Sequence, residues 1–355
     1  MKQDNLRARL AQSLIIGMEN PEPDPHTVEL ISRHAVGGVI LFARNIVAPE
    51  QVWRLNSSLQ QIAAAAGRPP LFIMVDQEGG SVARLRAPFI HEPDLCVLGH
   101  SDEKALFTHG AQMGRELIAA GFNWNLAPVV DVHCQDDGVM HKRSLGSDPL
   151  KVGKLAAAYI NGLHSAACLS CAKHFPGLGR TSIDTHKLGV KVELTMQQMR
   201  EVELPPFVAA MAARVSGILV GHATFSALDT HKPASLSSMV IDGLLRQQLQ
   251  YNGLVLSDDL EMGAINLDPA KAAAAAYQAG SDLLLICRRS EFAVPALEEM
   301  TALACDGKIS GERICASFDR IRRLKAGLPA VKPFEVLRQI LDKRANARTP
   351  NRLTN

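Results

Sequence analysis

Residues 71–78 read LFIMVDQE: five apolar side chains in a row, then three polar ones, two of them acidic. An apolar run of this length without polar alternation fits a strand buried on both faces, as parallel strands are. Charge is costly to bury unpaired, so such a strand must deliver Asp76 and Glu78 to a polar cleft. The same grammar recurs. GGVILF (37–42), NWNLAPVVDV (123–132), CLSCAKHF (168–175), GILVGH (217–222), GLVLSD (253–258) and SDLLLIC (281–287) are further apolar runs. Helical patterns lie between them at 49–66, 102–120, 150–166, 195–214, 237–249, 268–280 and 290–306. Thr195 is the expected N-cap of the fourth. KLGVKVEL (187–194) is the candidate for an eighth strand. Eight βα units in series predict an α/β fold, a single-domain (β/α)8 TIM-type barrel rather than a doubly wound sheet. Helical patterns at about 310–325 and 333–344 are then additions on the barrel exterior. The expected division is a catalytic barrel over 1–330 and a C-terminal helix with a basic tail over 331–355.

Composition narrows the function classes. The 355 residues are 47% hydrophobic and 21% charged, enough to bury a large core. Lys and Arg number 38 against 36 Asp and Glu, a net charge of +2, so no whole-protein field points to nucleic acid or to a membrane surface. The N-terminus carries charge where a signal peptide needs an apolar run, and no stretch reaches membrane-spanning length. With seven scattered cysteines, an odd number that fits reduced thiols, the expected location is the cytoplasm. Cys168 and Cys171 form a C-x-x-C without a second pair at zinc spacing, and read as small side chains lining a strand.

In a barrel, chemistry gathers at the C-terminal ends of the strands. Those ends hold Asp76, Gln77 and Glu78, then Asp131, then Lys173 and His174, then His222, then Asp258 and Asp259. A single strand-end Asp can merely cap the next helix, the expectation for Asp259. Several strands ending alike predict one site. DQEGGSVARL (76–85) sets a carboxylate, glycines that let backbone approach a ligand, and Arg84 in sequence. HKRSLGSDP (141–149) puts Arg143 before a helix that starts near Asp148–Pro149. Carboxylates with Arg, Lys and His suit a ligand rich in hydroxyls, and would also suit a phosphate. GLGRTS (177–182) has Arg180 where a P-loop needs Lys. A metal site built from His174, His186 and the aspartates lacks H-x-H or H-E-x-x-H spacing. No metal and no cofactor are expected.

Taken together and in order, VDQEGGSVARL, NLAPVVDV, RSLGSDP, KHFPGLG, DTH and LSDDLEMGAI resemble glycoside hydrolase family 3 β-N-acetylglucosaminidases, single-domain cytoplasmic enzymes of bacterial peptidoglycan recycling. The resemblance implies a retaining mechanism on a TIM-type barrel. It implies Asp258 as the nucleophile, His186 as acid/base, and Asp184 as the group that orients that histidine. Asp76, Arg84, Arg143, Lys173, His174 and His222 are the implied sugar-binding residues, and PGLG would be the hinge of the loop carrying His186. The implied partner is a small saccharide or muropeptide, with neither nucleic acid nor membrane involved. Four positions depart from the family pattern: Leu178 where a second histidine is common, Ser81 for arginine, Lys142 for an acidic residue and Leu145 for an aromatic.

Overall fold

The computed structural model describes residues 3–91, 93–133, 140–181 and 189–348. Eight strands run parallel around a barrel: β1 (Leu14–Gly17), β2 (Gly38–Leu41), β3 (Phe72–Val75), β4 (Trp124–Asn125), β5 (Cys171–Phe175), β6 (Gly217–Val220), β7 (Leu254–Asp259) and β8 (Leu283–Ile286). Ladders join them in the order β4-β3-β2-β1-β8-β7-β6-β5. Bridges between Trp124 and Leu169 and between Val129 and Lys173 close the ring from β4 to β5. Asn125 N–H donates to Leu169 O, and Val130 N–H to Lys173 O, both at 2.9 Å.

The TIM-type barrel expected from the βα series is the fold, with one strand reassigned. The first strand is LIIG (14–17), which pairs with β2 and β8. Among the described residues of KLGVKVEL, only Lys191–Val192 form a strand, paired with Thr224–Phe225 in a two-stranded ribbon apart from the barrel. A four-residue strand buried on both faces shows no alternation, and LIIG sits directly behind the charged helix Gln3–Ala11. NWNLAPVVDV forms a ladder of only two residues, because Pro128 has no N–H to give a continuing sheet.

Pleating sorts the side chains. Ile15, Ile40, Phe72, Met74, Trp124, Cys171, Leu254, Leu256, Leu283 and Leu285 fill the interior. Their neighbours Leu14, Ile16, Val39, Leu41, Ile73, Val75 and Val255 pack outward under the helices. Phe72 and Trp124 meet edge to face with centroids 4.9 Å apart. Helices Pro49–Ala65, Glu103–Ala119 and Pro149–Ser165 lie within a residue or two of their expected bounds. Asp148 accepts from Leu150 N–H and Lys151 N–H to cap the last of them, and Thr195 caps its helix as expected. The helix Phe334–Arg348 docks outside the barrel, with Phe334 against Trp53 and Leu337 wholly buried. The helix Gly311–Lys325 does more than decorate the exterior: its Ile321 joins the interior cluster.

Candidate active site

The inward register of each strand runs on into charge. Along β3, Phe72 and Met74 point inward, and the same alternation carries Asp76 and Glu78 to that side. Cys171 leads to Lys173 in β5, and Leu254 and Leu256 lead to Asp258 in β7. Asp76, Arg84, Lys173, His174, Asp258 and Asp259 line one cleft of about 250 Å3, together with Phe42, Arg44 and Arg288. Three other pockets, of about 640, 630 and 420 Å3, are larger, but none has a carboxylate in its lining. Chemistry, and not volume, picks the site.

Behind the cleft the charges are paired. Lys173 is buried and its Nζ donates to Asp76 Oδ1 and to Glu78 Oε1, each at 2.7 Å. Arg143 grips Glu78 with two parallel bonds, Nε to Oε2 and Nη2 to Oε1, both 2.9 Å. Burial alone would raise the Glu78 carboxyl, but the Lys173 and Arg143 charges outweigh it and hold it well below the usual range. By the same pairing Lys173 rises: burial works against its charge, and Asp76 and Glu78 more than offset that. Arg84 reaches Asp76 Oδ2 at 3.6 Å and stands 5.5 Å over the Phe42 ring. Arg143 does not line the cleft; it supports Glu78 and lies 3.4 Å from His174 Nε2.

Asp131 is the organiser of the KHFPGLG turn. Fully buried, it accepts from His174 Nδ1 at 2.8 Å, from His174 N–H at 3.1 Å and from Leu178 N–H at 2.7 Å. That leaves His174 Nε2 toward Arg143 Nη2, 3.4 Å away. The turn itself is buried from Pro176 to Gly179. Gly177 sits at φ 135°, and a Cβ there would come within 2.7 Å of Glu203 Oε2. A Cβ on Gly179 would meet Val132 O at 1.7 Å. This corrects the expected hinge at PGLG: a turn pinned by a buried carboxylate and packed on two elements is a fixed support. Asp184 and His186 lie outside the described residues.

Asp258 occupies the cleft at the end of β7 and accepts from Asp259 N–H at 2.8 Å. Burial pushes its carboxyl up, but His222, His174, that amide and Lys173 together hold it lowered. It is ionised at neutral pH. His222 is buried beside it, with Nδ1 2.7 Å from Ser235 Oγ and Nε2 2.8 Å from the Asp259 carbonyl, so it shapes the β7 end from behind. Asp259 is pushed up to about 6 by burial and by the neighbouring Glu261 and Asp258 charges. Its Oδ1 accepts from Glu261 N–H and Cys287 N–H, so it caps a turn and not the helix expected of it, which begins only at Pro269. Cys168 and Cys171 are buried thiols pushed up to about 12 by desolvation, inert side chains as the spacing suggested.

Residues 5–324 match the model of the glycosyl hydrolase family 3 N-terminal domain. The chain belongs to glycosyl hydrolase family 3. Beta-hexosaminidase A of Pseudoalteromonas piscicida is 32% identical over 86% of this chain and 56% of that protein. A beta-hexosaminidase of Pseudomonas aeruginosa is 34% identical over 76% of this chain and 82% of its own length. A family 3 β-N-acetylglucosaminidase from Paenibacillus sp. FPU-7 superposes with a TM-score of 0.88 at 34% identity, over 94% of this chain and 68% of that one. NagZ from Neisseria gonorrhoeae superposes at 0.79 with 25% identity, over 94% and 96%.

Within this family 3 barrel the structure gathers five of the proposed site residues in the cleft lining, Asp76, Arg84, Lys173, His174 and Asp258. It sets Arg143 and His222 behind them. Sequence reasoning assigned no role to Glu78 or Asp131. The signal for Glu78 was its i, i+2 relation to Asp76, which puts both on one strand face. For Asp131 it was only a position at a strand end. Of the departures from the family pattern, Leu178 and Leu145 are buried, and Ser81 and Lys142 are exposed. Leu178 therefore serves packing beneath the turn.

Proposed function

We propose that the chain is a retaining exo-β-N-acetylglucosaminidase acting on a muropeptide-like saccharide. The observation that carries this reading is Asp258, a carboxylate kept ionised by His222, His174 and Lys173 at the floor of a cleft of about 250 Å3. That volume falls below the ~300–1,000 Å3 usual for drug-sized ligands and suits one terminal sugar ring. The acetamido preference follows the printed activities of the beta-hexosaminidase and β-N-acetylglucosaminidase relatives.

In this mechanism Asp258 attacks the anomeric carbon from the face opposite the aglycone. The glycosidic C–O bond breaks as His186 gives its proton to the leaving oxygen, and an ester links sugar and Asp258. His186 then takes a proton from water, whose oxygen attacks the same carbon and frees Asp258. Asp184 steadies the histidine through both steps, in the manner of the acid of a triad. Lys173, Asp76 and Arg84 meet sugar hydroxyls, and His174 offers Nε2 from an orientation set by Asp131. Arg44 and Arg288 make the rim cationic, which suits an aglycone that carries carboxylates.

The test is release of p-nitrophenol from the β-N-acetylglucosaminide and the β-glucoside side by side, with Asp258→Asn as control. Turnover of the acetamido sugar alone, lost by at least about a thousandfold in the variant, is expected. Turnover of neither sugar by a folded protein would instead make this a sugar-binding barrel.

A further inference from the structure

Among the described residues, two lysines are buried, in opposite circumstances. Lys173 faces the cleft and is held by two carboxylates. Lys325, the last residue of the helix Gly311–Lys325, plugs the other mouth of the barrel, where no step of the glycosidase mechanism takes place. Its side chain is buried among Ile321, Gln12 and the ring of Phe72, with Nζ 5.0 Å from that ring's centroid. Among the described residues no carboxylate pairs with it; its Nζ donates to Gln12 Oε1 at 2.8 Å. Gln12 is itself fixed, donating to Ala35 O at 2.7 Å.

Lys325 also lines a pocket of about 420 Å3. Gln12 precedes β1 and Pro70 precedes β3, so the pocket opens at the N-terminal face, opposite the cleft. Phe318 and Ile321 give it apolar walls, and Arg322 is the other cationic side chain of its lining. Arg322 lies 3.8 Å from Asp319 on its own helix and is largely exposed, so that acid is already engaged away from Lys325. A buried amine without a counter-charge beside an apolar pocket is the arrangement that leaves an amine neutral and nucleophilic.

We propose that Lys325 is a covalent modification site for small aldehydes. The Nζ lone pair attacks the carbonyl carbon and a C–N bond forms. The carbonyl oxygen then leaves as water with both amine hydrogens, and an imine remains. No oxidant or reductant is needed. A protonated imine would keep its hydrogen bond to Gln12 Oε1.

Desolvation lowers the Lys325 ammonium to about 7. Against an ordinary lysine near ~10.4, that gives a roughly thousandfold larger neutral fraction at pH 7. Entry into the pocket takes back part of that advantage. The experiment treats the native full-length protein with propionaldehyde and cyanoborohydride at pH 7, and follows propylation of each lysine by peptide mass mapping. Lys325 is expected to be labelled at least about ten times faster than the exposed Lys271 and Lys308, with Lys173 left unlabelled. The Lys325 rate should level off as pH passes about 7, while the surface rates go on climbing. In urea the preference should vanish. Labelling of Lys325 no faster than Lys308 in the native protein would overturn the proposal, and so would a preference that persists in urea.

Discussion

Glu78→Gln isolates the charge that holds the binding side of the cleft. The change keeps the shape of the side chain but removes its negative charge and turns one acceptor into a donor. Glu78 receives three bonds, from Lys173 Nζ at 2.7 Å and from Arg143 Nη2 and Nε at 2.9 Å each. Lys173 would keep Asp76, whereas Arg143 would lose the carboxylate that its Nε and Nη2 grip together. Removing one member of a buried, hydrogen-bonded ion pair costs about 3–5 kcal/mol. The glutamine oxygen recovers one bond to Arg143, worth about 1 kcal/mol, so a loss of about 2–4 kcal/mol is expected. Urea unfolding at pH 7 measures it as a lower midpoint at unchanged slope. Because the folded Glu78 carboxyl lies below its unfolded value, its contribution is complete above the unfolded value of about 4.3. It is lost as pH falls toward the folded value. The gap between wild type and variant should therefore be constant from pH 5 to 8 and close on acidification. On the substrate of the proposed reaction, KM should rise, since Lys173 and Arg143 are no longer held. A variant within about 1 kcal/mol of wild type and with unchanged KM would refute the reasoning.

Other substitutions separate catalysis, titration and architecture. In kcat/KM, which reports bond cleavage and not hydrolysis of the ester, His186→Ala should cost about 100- to 10,000-fold on an alkyl aglycone and much less on p-nitrophenol, which leaves without a proton; equal losses in kcat/KM on both would deny it the acid role. Asp259→Asn should gain stability relative to wild type as pH rises from 4 to 6. The folded Asp259 carboxyl, pushed up to about 6, keeps its proton after the unfolded one has lost it, so wild-type stability falls across that window. Thermal melts at pH 4 and pH 7 read the difference, and parallel shifts would contradict it. Asp282→Ala, at the base of the barrel, leaves Arg246, Arg313 and Arg320 without their shared buried carboxylate. It should cost about 3–5 kcal/mol in urea unfolding while kcat/KM of the folded enzyme stays within about twofold; a comparable loss of activity would mean that the two ends of the barrel are coupled.

How much of this was legible from sequence depended on whether a side chain's neighbours come from its own strand. LFIMVDQE announces both a buried strand and the face on which Asp76 emerges, because pleating is a local rule. The order of βα units then fixes the barrel. LIIG escaped notice for the same local reason: four residues are too few to show a period. The division of labour between Asp76 and Glu78 is not local at all. Both carboxylates sit on one face of one segment, and only Arg143, 65 residues away, makes Glu78 a strut while Asp76 stays in the cleft lining.

The same limit explains PGLG. Two glycines and a proline at the start of a loop read as freedom to move, since glycine admits conformations that other residues avoid. In the fold they serve closeness. Gly177 leaves room for Glu203, Gly179 leaves room for the Val132 carbonyl, and Asp131 binds the turn through the N–H groups of His174 and Leu178. A turn anchored in this way can hold Lys173 and His174 still. The binding groups and the proposed acid/base share one stretch of sequence, and its first half is built to stay fixed.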